Sequence, residues 1–258
     1  MNLKKQLLLG AAIGALAAVS VTPATAQMPP VFNWTGFYVG GNVGYSWGHG
    51  APTYNEPAIA GNIFSTLPAT LTGANNLDGA IGGIQFGYNW QVGNWVYGLE
   101  ADIQAADERA ARDFGPFFGG KGGVFSATLD SNIQWFGTVR PRVGWLVTPT
   151  TMVYATGGLA YGSVHASGSF TDTSCSCMWG FDKRSTNVGY AAGGGVEGSF
   201  PNWSNWNLRN WTWKVEYLYL DLGTLSGSGF DTDFSGTYTY SARFTDNILR
   251  FGVNYNFH

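Results

Sequence analysis

Leu249-Arg250-Phe251-Gly252-Val253-Asn254-Tyr255-Asn256-Phe257 decides the fold, because every second residue in it is apolar or aromatic and every other one is small, polar or charged. Side chains of an extended chain point to alternate faces, so a period of two marks a strand with one greasy and one wet side. Trp211, Trp213, Val215, Tyr217 and Tyr219 alternate in the same way with Thr212, Lys214, Glu216 and Leu218.

Working outward from these two stretches, the pattern recurs over Thr35 to Trp47, Asp78 to Trp90, Trp95 to Gln104, Ile133 to Trp145, Met152 to Val164 and Thr186 to Gly198. With Trp211 to Leu222 and Phe244 to Phe257 this predicts eight strands. Pro141 removes a ladder donor from the fourth and belongs beside a bulge or an unpaired position. Met152 to Val164 is too rich in glycine for its outward face to be assigned. The connections alternate: Gln91 to Asn94 and Leu146 to Thr150 are tight, whereas 48 to 77, 107 to 130, 165 to 185 and 223 to 243 are long and polar. Trp203 and Trp206, in the longer connection Ser199 to Asn210, belong at lipid headgroups.

A soluble barrel would turn its aromatic rows inward and carry many charges outside. Only 11% of these residues are charged, while 17 Phe, 13 Tyr and 11 Trp form rows too bulky for the narrow interior of eight strands. The expected fold is therefore all-β: an eight-stranded antiparallel up-and-down transmembrane β-barrel with long extracellular loops and short periplasmic turns. Trp47, Trp90, Trp95, Trp145, Trp211 and Phe257 fall near strand ends, as interfacial girdles require.

The N-terminus reads as an export signal, with Lys4 and Lys5 before an apolar run from Leu7 to Val21 and a small-residue site Ala24-Thr25-Ala26. Cleavage is expected between Ala26 and Gln27, making 1–26 a signal peptide and 27–258 the barrel domain. Thirteen scattered basic residues against sixteen acidic ones exclude a nucleic-acid surface, which needs clustered cations. Cys175 and Cys177 have no metal-ligand spacing around them; a bond between them would close a very small ring, and free thiols are the alternative.

Four segments carry a resemblance: Val31 to Asn42, Thr138 to Gly144, Tyr154 to Gly162 and Lys214 to Tyr219. Together, and in this order behind a signal peptide, they resemble the alphaproteobacterial outer-membrane immunogenic, or small porin, family. The resemblance spans the mature chain. It implies an OmpA-like eight-stranded barrel in the outer membrane of a Gram-negative bacterium. Its members serve as surface antigens and envelope-stabilising proteins, some are called porins, and some are reported to bind haemin. It also implies a C-terminal strand recognised by the barrel-assembly machinery, although His258 here follows the aromatic Phe257 on which the family commonly ends.

Strand parity places Glu100, Asp102, Glu197 and Glu216 on lumen faces together with Arg140, Arg142, Lys214 and Arg250. Such a set either selects solutes at a constriction or fills the barrel as a paired network, and the small lumen favours the second. His49 and His165 are the candidate axial ligands for haemin, the one cofactor considered. A lipid A hydrolase would need His165 to activate Ser167, with only Asp172 to orient it, so the chain reads as non-enzymatic. The expected function is a surface and envelope structural barrel or low-conductance porin, with outer-membrane lipid and lipopolysaccharide as its surroundings. On this reading the protein fractionates with the outer membrane and migrates differently on a gel before and after boiling. A soluble species without that shift would contradict the barrel.

Overall fold

The computed structural model describes residues 32–56, 70–74, 76–118, 123–174, 176–201, 207–231 and 236–257. The signal peptide with its Ala26 and Gln27 junction, Trp203, Trp206, Cys175 and His258 lie outside them. Cys177 is disulfide-bonded, and Cys175 is the chain's other cysteine.

The described residues form ten strands: β1 (Gly36–His49), β2 (Pro52–Asn55), β3 (Thr70–Thr72), β4 (Asn76–Val92), β5 (Trp95–Phe118), β6 (Val124–Thr148), β7 (Thr151–Asp172), β8 (Cys177–Ser199), β9 (Trp211–Asp231) and β10 (Gly236–Phe257). Eight of them follow one another in the antiparallel order β1, β4, β5, β6, β7, β8, β9, β10, and β1 pairs with β10 to close the ring. The short β2 and β3 form an added hairpin on β10. Among the described residues there is no helix.

An apolar belt runs around the outside. Phe37, Val43, Ile84, Phe86, Leu99, Val143, Leu159, Val215 and Phe251 are all exposed, as the period of two predicts. At the turn end, aromatic pairs fringe the belt: Trp95 meets Trp145 edge-on at 4.8 Å, Phe37 meets Tyr88 at 4.6 Å, and Trp211 meets Tyr255 at 5.3 Å. Pro141 sits where the β6–β7 pairing lapses between Val139↔Leu159 and Arg142↔Thr156 without a change of register, so its missing N–H leaves no broken rung there. The face of β7 also becomes assignable, with Val153 and Leu159 outside and Met152, Tyr154 and Ala160 inside.

The strands run well past the expected boundaries. Much of what reads as long loops is hairpin wall, with β5, β6, β7 and β8 continuing to Phe118, Val124, Asp172 and Cys177. The chemistry of the two faces inverts along the way. On β6, Arg140 and Arg142 point in and Val139 and Val143 point out; higher up, Phe125, Ala127, Leu129 and Ile133 point in while Ser126, Thr128, Asp130 and Asn132 lie on the outer face. A bulge between Ile133 and Trp135 shifts the parity of β6, and Gln134 is exposed rather than aligned with the lumen side chains. Water has replaced lipid outside, so the apolar side chains turn inward.

Above the row Tyr190↔Asp221, β8 pairs only with β7 and β9 only with β10. The ring there divides into two facing sheets, bound by an aromatic core. The Tyr54 ring of β2 lies 4.2 Å from Phe170 of β7, and Phe181 of β8 stacks on Tyr240 of β10 at 4.3 Å. Arg112 Nη1 donates to the Thr72 carbonyl at 3.2 Å across the opposite seam.

Two outward positions separate these solvents. Phe86→Arg, in the belt, is expected to cost about 2–4 kcal/mol, whereas Ser169→Arg, on the hairpin wall, changes stability by less than about 0.5 kcal/mol. Equilibrium urea unfolding from lipid vesicles measures both.

Candidate functional site

All eight predicted lumen charges are buried and meet inside the ring. Glu100 of β5 is the hub: it accepts from Arg140 Nη2 at 2.9 Å, from Lys214 Nζ at 2.8 Å and from the Tyr38 hydroxyl at 2.8 Å. Asp102, one step along β5 on the same face, accepts from Arg140 and Arg250 at 3.0 Å each and from Thr138 at 2.9 Å. Glu216 of β9 accepts from Arg250 Nε at 2.7 Å and from the Tyr154 hydroxyl at 2.8 Å. Arg142 reaches Glu197 at 2.9 Å and is held between the Tyr38 and Tyr154 rings, 4.9 and 5.1 Å from their centres.

Sharing each acid among several donors is what makes the cluster tolerable, since an isolated buried charge costs several kcal/mol. A relay of amides extends it: Asn42 donates to Gln85 at 2.7 Å, Gln85 to Asn254 at 2.6 Å, and Asn254 to Glu197 at 2.9 Å. Glycine on the facing strands makes room. A Cβ on Gly87 would strike the Tyr38 ring, and one on Gly252 would stand 3.1 Å from Lys214 Cγ.

The network is covered at both ends. At the turn end the segment before β1 folds into the lumen, where Trp34 is fully buried with Phe32, Val96, Leu146 and Met152. Its backbone N–H donates to Gln91 Oε1 at 3.1 Å and its indole to the Pro149 carbonyl at 3.4 Å. At the hairpin end the lumen is filled by Leu77, Ile81, Ile133, Phe136, Val164, Leu218, Leu220, Phe244 and Ile248. Sequence reasoning missed Trp34, which lies outside any alternating stretch. It also passed over Tyr38 and Tyr154, the first of which strand parity does place on the lumen side.

The two histidines do not converge. His49 lies on β1 and His165 on β7, four positions apart whichever way the ring of eight is followed, and both are on the outer face. They cannot ligate one iron together. His165 Nδ1 is 3.0 Å from Asn132 Nδ2, and Nε2 is 3.1 Å from Asp182 Oδ1. Ser167 is therefore not the partner of the ring, and Asp172 turns inward, accepting from the Ser174 N–H and hydroxyl. The orienting acid is Asp182, brought alongside by the β7–β8 register. On the same outer face, burial raises the Asp130 carboxyl above its usual range, with Asp113 adding to the rise and His165 opposing it.

A closed antiparallel ring with a lipid-compatible belt, aromatic fringes and an interior where four acids meet four bases defines a β-barrel of the outer membrane. The chain belongs to the family described as outer membrane protein beta-barrel domain, whose model matches residues 11–257. It is 34% identical over 253 residues to the 31 kDa outer-membrane immunogenic protein of Brucella melitensis, covering 95% of both chains. It is 29% identical over 232 residues to the 22 kDa outer membrane protein of Rhizobium leguminosarum bv. viciae, covering 90% of this chain and 82% of the relative. Among solved structures it is similar in fold to the outer membrane protein OprG from Pseudomonas aeruginosa, with a TM-score of 0.51, 14% identity, and coverage of 88% of this chain and 98% of that one. The protein thus resides in the outer membrane, with the turn end periplasmic and the hairpin end extracellular.

Arg140→Met would leave Glu100, Asp102 and Glu216 facing one another with one cation fewer. The expected loss is about 3–5 kcal/mol, read as a lower urea midpoint for the detergent-refolded protein.

Proposed function

We propose that this protein is a non-enzymatic surface and envelope-structural barrel whose lumen is closed, so that its work is done on its outer and extracellular faces rather than through a pore. One observation carries the reading: three consecutive layers fill the interior, namely the Trp34 cluster, the charge network and the apolar plug. Eight strands leave a lumen only wide enough for side chains, and here the side chains occupy it.

The names of the relatives, outer-membrane immunogenic protein and outer membrane protein, suit a surface-exposed role and give no reaction. The His165 hydrogen bonds argue against an activated Ser167. Lipid and lipopolysaccharide are the partners of the belt and its rim, and β10 is the strand offered to the barrel-assembly machinery.

Planar-bilayer recording of the refolded full chain tests the closed lumen. Brief, rare, small openings are expected; a large and steady open conductance would overturn the proposal in favour of a porin.

A further inference from the structure

Among the described residues, two acids at one level inside the barrel lie apart from the charge network. Glu108 of β5 and Asp246 of β10 are both fully buried, at the level where the apolar plug begins. Two strands, β4 and β1, stand between them in the ring, and glycines there clear the way. A Cβ on Gly48 would lie 2.7 Å from Asp246 Oδ1, and one on Gly79 would lie 2.9 Å from Glu108 Cα. The side chains face each other over these glycines, close to Ser46, and both Glu108 carboxyl oxygens and Asp246 Oδ2 are buried there without a hydrogen-bond donor.

Among the described residues, no basic side chain compensates them. On β4 the nearest titratable group is Asp78, which accepts from the Tyr45 hydroxyl on the outer face. On β9, Asp221 is taken by Arg243 at 2.7 Å. On β5, Arg109 is turned outward against Asp107 at 3.0 Å. On β10, Arg250 is committed to Asp102 and Glu216, and on β1, His49 points outward. From β6 comes the apolar Ile133, and from β10 itself Ile248. The Asn247 N–H reaches Asp246 Oδ1 at 2.9 Å, whereas the Ser46 hydroxyl donates to the Gly79 carbonyl at 3.3 Å.

Two ionised carboxylates buried side by side repel each other and neither has a hydrogen to donate, whereas one proton on the pair supplies the donor that the buried oxygens lack. We infer that Glu108 and Asp246 hold one shared proton between them, and that the packed outer plug requires this proton, so that alkaline pH loosens the extracellular half of the lumen. The binding step is simple: one carboxyl oxygen keeps its proton and donates it to an oxygen of the partner. Losing that proton to hydroxide places a second negative charge among Leu77, Leu220 and Ile248. Folding from an unfolded chain whose acids are both ionised takes up one proton. Stability therefore falls as pH rises above the ordinary carboxyl range, until the pair itself ionises.

The test uses the refolded full chain, the single variants Glu108→Gln and Asp246→Asn, and the double variant. An amide donates to the remaining carboxylate without any proton, so either single variant keeps the bridge. The infrared difference spectrum, wild type minus double variant at neutral pH, should show the C=O band of a protonated carboxylic acid. As pH rises above the ordinary carboxyl range, the folding constant of the wild type should fall relative to that of Glu108→Gln by up to tenfold per pH unit while the pair stays protonated. Amide exchange at Leu77 and Ile248 of the wild type should quicken over the same range beyond its intrinsic pH dependence, a readout that stands even if the variants refold poorly. Absence of the carboxylic-acid band, or parallel pH profiles for wild type and Glu108→Gln, would overturn the inference. A closed pore with no such band would sink this proposal and leave the closed lumen standing.

Discussion

Hydrocarbon offers no partner to a backbone N–H or C=O, and this one constraint governs the rest of the molecule. The β1–β10 ladder from Phe37↔Phe257 to His49↔Thr245 meets it by removing the last free edge. Closure with eight strands then sets the lumen width, and a narrow lumen buries whatever side chain points into it. Charges placed there must find one another. Glu100 does so with four cations and a tyrosine hydroxyl, and the surrounding glycines leave those long side chains the space they need.

One wall crosses two solvents, and the alternation follows the solvent rather than the strand. Within the belt lipid lies outside, so Val139 and Val143 face out and Arg140 and Arg142 face in. Farther up the same strand water lies outside, so Asp130 and Asn132 face out and Leu129 and Ile133 face in. The Gln134 bulge lets β6 make that change while keeping its pairing with β7. The result is a barrel whose ionic interior lies between the Trp34 cluster at the turn end and an apolar interior at the hairpin end. The protein differs in this from a uniformly polar-lined channel.

The inversion explains where reading the chain stopped short. An apolar-outward alternation ends near Gln104, Ile133, Val164 and Thr186, and past those points the strands look like polar loops although β5 to β8 continue. Register explains the rest. Strand pairing sets Lys214 opposite Glu197, yet its ammonium crosses the lumen to Glu100; Glu197 is left to Arg142 of β6. His165 and Asp182 are 17 residues apart and meet only because β7 and β8 pair in one register. Trp34 sits in a segment with no periodicity, so nothing local marks it as a lumen plug.

The sequence by itself determined the eight strands of the ring, the lipid-facing rows and the eight charges that face the lumen within the belt, because each depends on a period of two and on a belt that admits no charge. Which acid meets which base, how far the walls rise above the membrane, and that Trp34 and an apolar plug seal the two ends were decided only by the tertiary structure. The physical reason is the same in each case. Periodicity assigns a residue to a face, but partners across a closed ring are fixed by stagger and side-chain reach, which no single strand contains.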